Sequence, residues 1–485
     1  MEKGLGLFKR RRLFWAAFLV LAAGWALTRA GKSILPSHTA ESGPPPNIVL
    51  LLTDDQRWDQ LQHMPIVRSE LGSKGVSFAN AFVSNPLCCP ARATILTGLS
   101  SGHNGVWSNN RVDAGGFKAF RDLGAEDRTI ATVLHDSGYY TGLVGKYMNG
   151  YAAEEAAWVP PGWNFWRAMT RPSYYGPSFS VQGKSVTFRR RRYQTDVLGQ
   201  QALRFIESAP STQPLFLFWA PHAPHRPADP APGDEGTLAQ SLPLWRPASY
   251  NEADVSGKPW FIQAVPPWDE SKSAYWDAVQ VAMHESLLSV DRWIGRILSA
   301  LEAAGRLHNT LLVFTSDNGF LLGEHRWQGK LVPYEESIRV PWIVRWDSAN
   351  FPSVGGTDAH LIVDTDVAPT FAKVAGVSME PTDGLDFVAL LQGEVASWRS
   401  DFLIEHGGEV GDNGAEGLAY CGVRTETSKY VQYWNGFEEL YQLSSDPNEL
   451  ENLASDPNHQ GLLGRLRERA RSLCDPPPPG FTWQH

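Results

Sequence analysis

The feature that most limits the folds open to this chain is an unbroken apolar run at residues 48–53 that stops at two adjacent aspartates, Asp54 and Asp55. A run of that length without polar alternation suits a strand buried on both faces, as in parallel sheets covered by helices. Comparable runs recur at 141–144, 215–220, 311–315 and 341–346. Helical patterns lie between them, clearest over 275–304, where Val279, Met283, Leu287, Val290, Ile294 and Leu298 keep helical spacing. Strands alternating with helices predict an α/β fold, with a large, mostly parallel mixed sheet sandwiched by helices. From about Leu403 the pattern changes. Residues 418–423 and 429–433 read as strands of an antiparallel sheet and 461–473 as a helix, giving a smaller C-terminal α+β subdomain. The expected organisation is a leader over 1–36, a linker over 37–46, a main domain over 47–379 and a C-terminal subdomain over 380–485.

With 485 residues and 42% hydrophobic content, the chain can bury a large core. Its net charge of −9 argues against nucleic acid as a partner. Four cysteines, Cys88, Cys89, Cys421 and Cys474, are too few for a disulfide framework; a Cys421–Cys474 bridge is left open. Residues 9–12 are Lys-Arg-Arg-Arg and precede an apolar stretch over 13–27, the pattern of a secretory signal. An uncleaved signal anchor is the alternative, and would be the only membrane attachment. Either way the rest of the chain is expected to be exported. Residues 227–272 are rich in Pro, Asp and Trp with little periodicity, and a loop of that length is expected over the active site.

In open α/β sheets, ligands gather at the carboxyl ends of strands. Asp54-Asp55, Lys146, His225 and Asp317-Asn318 each follow an apolar run, so one polar site is expected to collect them. Asp54, Asp55, Asp317 and Asn318 offer only hard oxygen donors, which suit Ca²⁺ or Mg²⁺ and not zinc. Residues 85–98 read Asn-Pro-Leu-Cys-Cys-Pro-Ala-Arg-Ala-Thr-Ile-Leu-Thr-Gly. Pro90 suits the first position of a helix and Gly98 its end. Cys88 and Cys89 then lie at a helix N-terminus, which favours an anion, with Arg92 one turn in. A nucleophile at an anion site beside an arginine suggests attack on a sulfate or phosphate ester.

This segment resembles the Cys-x-Pro-x-Arg…Thr-Gly signature of the type I sulfatases. Further segments are similar to that family: Gly145-Lys146, His103-Asn104-Gly105, Ala223-Pro224-His225-Arg226-Pro227, Gly329-Lys330…Arg339-Val340-Pro341, and Tyr441-Gln442-Leu443…Glu451-Asn452-Leu453. The resemblance spans about 47–453 and implies an alkaline-phosphatase-like fold. It implies that Cys88 is oxidised to Cα-formylglycine (3-oxoalanine) by a formylglycine-generating enzyme. It also implies Ca²⁺ held by Asp54, Asp55, Asp317, Asn318 and the group at position 88, with Mg²⁺ as an alternative. Arg92 would stabilise the attacking oxygen and His103 would partner the formylglycine hydroxyls. Lys146 and Lys330 would hold sulfate, and His225 would protonate the leaving group, with His222 the competing choice. Met148 stands where many arylsulfatases carry histidine. That departure and the doubled cysteine resemble the N-acetylglucosamine-6-sulfatase branch. The implied substrate is a sulfated sugar or an aryl sulfate. The alternatives are a broad arylsulfatase, a phosphonate or phosphodiester hydrolase of the same superfamily, or an inactive carbohydrate-binding relative. Arg189 to Arg192 read either as a solvated face or as a contact for a polyanionic substrate.

Overall fold

Asp54 and Asp55 do end a fully buried strand. The computed structural model describes residues 44–109, 115–151, 157–395, 397–407 and 418–484; the expected leader and residues 37–43 of the linker lie outside them. In chain order the strands are β1 (Asn47–Thr53), β2 (Val76–Phe82), β3 (Tyr140–Gly145), β4 (Phe165–Arg171), β5 (Ser178–Val181), β6 (Lys184–Thr187), β7 (Leu215–Ala220), β8 (Thr310–Ser316), β9 (Leu321–Leu322), β10 (Gln328–Gly329), β11 (Trp342–Arg345), β12 (Thr357–Val363), β13 (Asp401–His406), β14 (Tyr420–Thr425), β15 (Ser428–Tyr433) and β16 (Glu438–Gln442). Ten of them form one sheet, in the order β12-β2-β11-β8-β1-β7-β3-β4-β5-β6. The central five, β8-β1-β7-β3-β4, are all parallel. β11, β5 and β6 pair antiparallel with their neighbours, so the sheet is mixed.

The unbroken apolar run of β1 is explained by a core on each side of it. Ile48, Leu50 and Leu52 pack with Cys89, Ala93 and Leu96 and with the helices Ile130–Asp136 and Val367–Val374. Val49 and Leu51 point the other way, toward the helices Gln194–Ser208 and Glu270–Ala303. Each fully buried aliphatic side chain contributes roughly 1.5–3 kcal/mol, which fixes the strand and therefore the residues that follow it. Asp269 caps the long helix Glu270–Ala303, its side chain accepting from the Lys272 N–H at 2.8 Å.

Register delivers the site residues to one edge. Thr53 lies opposite Ser316, and Gly145 opposite Ala220. Residues 54, 146, 221–225 and 317 therefore leave the sheet side by side. The smaller antiparallel sheet has the order β13-β14-β15-β16. One face packs on the helix Gln460–Leu473 through Val423, Tyr430, Leu440, Leu463 and Leu466. The other packs on Phe82, Leu87, Tyr334 and Ile338. Cys421 and Cys474 are joined as a disulfide, with Cα atoms 6.2 Å apart. No helix among the described residues is long and apolar enough to cross a membrane.

Of residues 227–272, Pro227 lines a cavity with Lys146 and His225, and Trp245 packs on Arg57 and Trp58. Asn452 donates to the Gly257 carbonyl, and Arg326 donates to the carbonyls of Glu252 and Ala253. The segment is thus tied to the C-terminal sheet and to the turn before β10.

Candidate active site

A ten-residue helix, α1 (Cys88–Thr97), aims its N-terminus at the carboxyl end of β1. Leu87 caps it in extended conformation. The helix begins at Cys88, so Pro90 occupies the third position and not the first; its missing N–H still falls in the first turn, where amides lack intrahelical partners. Gly98 ends the helix at φ 70°, and its N–H donates to the Thr94 carbonyl at 2.8 Å.

Around Cys88 the sheet edge collects three carboxylates and three cations, all nearly or fully buried. The Cys88 thiol lies 3.4 Å from Asp54 Oδ1 and 2.8 Å from Lys330 Nζ. Lys146 Nζ pairs with Asp54 Oδ2 at 2.5 Å, and Lys330 Nζ pairs with Asp55. Arg92 Nε donates to Asp317 Oδ2 at 2.8 Å and Nη1 to the Lys146 carbonyl at 2.8 Å. Asp317 Oδ1 accepts from the Asp55 N–H at 3.1 Å, and Asn318 Nδ2 donates to Asp55 Oδ1 at 2.6 Å.

Electrostatics follow from this packing. Burial pushes the Asp54 carboxyl up, but Lys146, His225, His222 and Arg92 outweigh it and hold the group well below the usual range. Burial likewise raises Asp55, and Lys330 brings it below its ordinary value. Asp317 goes the other way: burial and Asp54 raise it against Arg92. Burial and Asp54 push the Cys88 thiol far up, so at neutral pH the unmodified side chain is a protonated thiol and a poor nucleophile.

Two histidines stack here, with centroids 4.4 Å apart. His225 Nδ1 lies 2.7 Å from the Arg226 carbonyl, which can only accept; Nδ1 therefore carries a proton and Nε2 faces the cluster, 3.7 Å from Asp55 Oδ2. His222 is buried, and its Nδ1 bonds Asp54 Oδ2 at 3.0 Å. Burial lowers its pKa to about 4.

The oxygen donors of Asp54, Asp55, Asp317 and Asn318 suit a hard divalent cation. Asp54, Asp55, Cys88 and His225 offer ligand atoms within 4.8 Å of one another, and Asp317 and Asn318 adjoin them. A second observation points to an anion or hydroxyl: Arg92 Nη2 is buried and, among the described residues, has no hydrogen-bond partner.

A profile of the family described as Sulfatase matches residues 46–377. The chain belongs to the sulfatase family. It is an enzyme, a sulfuric ester hydrolase. A second profile, N-sulphoglucosamine sulphohydrolase, C-terminal, matches residues 323–475 of this sulfatase. The N-acetylglucosamine-6-sulfatase of Homo sapiens is 32% identical over 471 residues, 88% of this chain and 84% of that protein. Among solved structures, an enzyme in complex with its substrate D-glucosamine-2-N,6-O-disulfate shares the fold at TM-score 0.73 and 24% identity, over 88% of this chain and 97% of that one. The phosphonate monoester hydrolase of Agrobacterium radiobacter shares it at TM-score 0.68 and 21% identity, over 88% and 95%.

The sulfatase's structure corrects one expected site residue. His103 does not reach position 88. Its Nδ1 instead bonds the Asp383 carboxylate at 2.7 Å, with the side chain 45% exposed, whereas Cys88 is buried. There it lines a separate cavity of about 520 Å³ with Ser100, Arg399 and Arg469. The other expected residues, Asp54, Asp55, Cys88, Arg92, Lys146, His225, Asp317, Asn318 and Lys330, are brought together. Beside them opens a cavity of about 430 Å³ lined by Lys146, Met148, Tyr151, Thr170, His222 and Arg226. Sequence reasoning missed the Met169–Pro172 wall of this cavity, because nothing local in β4 announces that it will lie next to β3.

Proposed function

We infer that this sulfatase removes the 6-O-sulfate of an N-acetylglucosamine-type unit in a sulfated glycan. The observation that carries the reading is the convergence of Arg92, Lys146 and Lys330 on Cys88, at a helix N-terminus that opens into a sugar-sized cavity. The relation to the human enzyme and the Cys88-Cys89-Pro90 and Gly145-Lys146-Tyr147-Met148 segments favour a 6-sulfated glucosamine. Converted to formylglycine, position 88 supplies a hydrated aldehyde, a nucleophile that the buried thiol is not. Asp54, Asp55, Asp317 and Asn318 would hold Ca²⁺, with Mg²⁺ the alternative, to supply positive charge against the sulfate. Lys146 and Lys330, which pair with Asp54 and Asp55, would hold the sulfate oxygens. Arg92 offers its free Nη2 to the attacking oxygen. His225, anchored through Nδ1, presents Nε2 to donate a proton to the departing sugar oxygen. The basic-then-apolar leader and the Cys421–Cys474 disulfide support export to an oxidising compartment. We place the catalytic part at 47–379 and the C-terminal part at 380–485.

The test pairs peptide mass with turnover. The peptide holding position 88 should be lighter by the thiol-to-aldehyde change. kcat/KM should be higher on N-acetylglucosamine 6-sulfate than on nitrophenyl sulfate or an aryl phosphonate monoester. An unmodified Cys88 in active enzyme, or a preference for the phosphonate, would overturn the reading.

A further inference from the structure

The edge of the large sheet carries a structure that folding alone does not explain. β6 is the edge strand, and all four of its residues are exposed. It leads into Arg189, Arg190, Arg191 and Arg192, four consecutive exposed arginines in a chain whose net charge is −9. Among the described residues none of the four pairs with a carboxylate; Arg192 donates only to Gln200, at 2.7 Å. Charges that guard a sheet edge against mispairing sit on the edge strand itself. These lie beyond it, in the turn before the helix Gln194–Ser208.

The turn is continuous with the catalytic cavity. Thr170 and Pro172 line that cavity, and Arg171 between them is exposed and also without an ion pair among the described residues. Arg171 lies opposite Ser178, which lies opposite Thr187, two residues before Arg189. Neighbouring strands are about 4.8 Å apart, so these two pairings place Arg171 about 10 Å from Thr187. The segment after β4 ties the two places together. The Tyr174 hydroxyl donates to the His225 carbonyl at 2.7 Å, and the Gly176 N–H donates to the Arg192 carbonyl at 3.0 Å. Asp229 and Glu235 lie near the Tyr175 ring and pair with none of these arginines.

We propose that Arg171 and Arg189–Arg192 form a ridge that binds the anionic chain of a sulfated polysaccharide beyond the sugar undergoing hydrolysis. The proposal rests on the sulfated-glycan reading above. Unpaired guanidinium groups match the forked geometry of sulfate and carboxylate groups. A row of them leading away from the cavity wall raises the local concentration of a polyanion near the site.

The test is R189A/R190A/R191A/R192A, in which only exposed side chains change. Two substrates are compared: 6-sulfated glucosamine monosaccharide and a decasaccharide alternating 6-sulfated glucosamine with uronate. At low ionic strength the variant should lose about tenfold or more in kcat/KM on the decasaccharide, within the range for electrostatic steering, and keep its rate on the monosaccharide. The all-lysine variant, which keeps the charge but not the fork, should recover only part of the loss, and added salt should narrow the gap. An unchanged ratio between decasaccharide and monosaccharide would overturn the ridge. So would duplex DNA of equal charge displacing the decasaccharide as well as a sulfated competitor does. Should wild-type protein cleave neither sugar, the substrate reading fails; calorimetric binding of the decasaccharide to wild type and variant then still decides the ridge.

Discussion

Two buried charge clusters lie five residues apart along one loop, and they differ in what they leave unused. Lys330 belongs to the first, with Asp54, Asp55, Asp317, Arg92 and Lys146. Glu335 belongs to the second. There Lys429 bridges Glu335 at 3.1 Å and Glu449 at 2.6 Å, and Arg424 pairs with Glu335 at 3.2 Å. Glu439 accepts from the hydroxyls of Tyr334, Tyr433 and Tyr441. Burial pushes the Glu335 carboxyl up, and Lys429 and Arg424 more than reverse it, to about 2. In the second cluster each named carboxylate has a cation or hydroxyl of the cluster beside it, although Glu449 Oε1 meets Lys429 as an ion pair only. In the first, Arg92 keeps an unpartnered Nη2, and a cavity opens alongside. Buried charge alone is therefore no mark of catalysis. Unsatisfied charge facing a cavity is.

The largest expected effect lies in the first cluster. A general acid contributes about 10²–10⁴-fold, most where the leaving group is poor. His225→Ala should lose on that scale for a sugar 6-sulfate and far less for nitrophenyl sulfate. His222 is buried against Asp54, so His222→Ala should slow both substrates alike. A selective loss in His222→Ala would transfer the acid role to that residue; equal losses in His225→Ala would make it a binding group.

The second cluster should respond in stability and not in chemistry. Lys429→Met leaves Glu449 without its cation and Glu335 with Arg424 and the more distant Arg339. Breaking a buried pair costs about 3–5 kcal/mol. Denaturant unfolding should show a loss of that order, while kcat of the folded variant holds. A matching fall in kcat would show that the loop from Lys330 to Glu335 couples the clusters, and the contrast would fail.

The same contrast explains what could be read without coordinates. Asp54-Asp55, Lys146 and Asp317-Asn318 were legible because each ends a fully apolar strand, and a parallel sheet must deliver such ends to one edge. The stop of the helix at Gly98 was legible from local rules, whereas its start at Cys88 comes two residues before the one Pro90 suggested. His103 was not legible, because spacing along a motif cannot say that Asp383, distant in sequence, will hold its ring. The cavity wall at Met169–Pro172 was hidden in sheet order. Lys429, Glu439 and Glu449 lie in ordinary strand and turn sequence, and only tertiary packing makes them a cluster. β5 and β6 escaped because they are short, and β6 is exposed on both faces.

A smaller effect tests whether an unmatched buried carboxylate always signals function. Glu405, on β13, is fully buried outside both clusters. One oxygen accepts from the Ser101 and Gly102 N–H groups at 2.7 and 3.4 Å; the other has no partner among the described residues. Burial, with Asp383 and Asp364 adding to it, pushes its pKa up to about 8 from an ordinary value near 4.5. The sign follows from the folded state holding the proton more tightly. Below about pH 4.5 both states are protonated and the stabilising contribution is complete. As pH rises toward 8 the unfolded chain ionises first, so stability falls, by at most about 1.4 kcal/mol per pH unit. Above 8 nothing further is lost. Glu405→Gln keeps the acceptor and cannot ionise. Other buried acids cancel in the difference in unfolding free energy, apart from the smaller coupling of Asp383 and Asp364 to this group. That difference should shift in favour of the variant between pH 5 and 8 and then level off, with kcat on a sugar sulfate unchanged. A difference constant with pH would mean that Glu405 is ionised in the fold. A loss of turnover would mean that Glu405, though away from Cys88, acts with the first cluster and not as a structural acid.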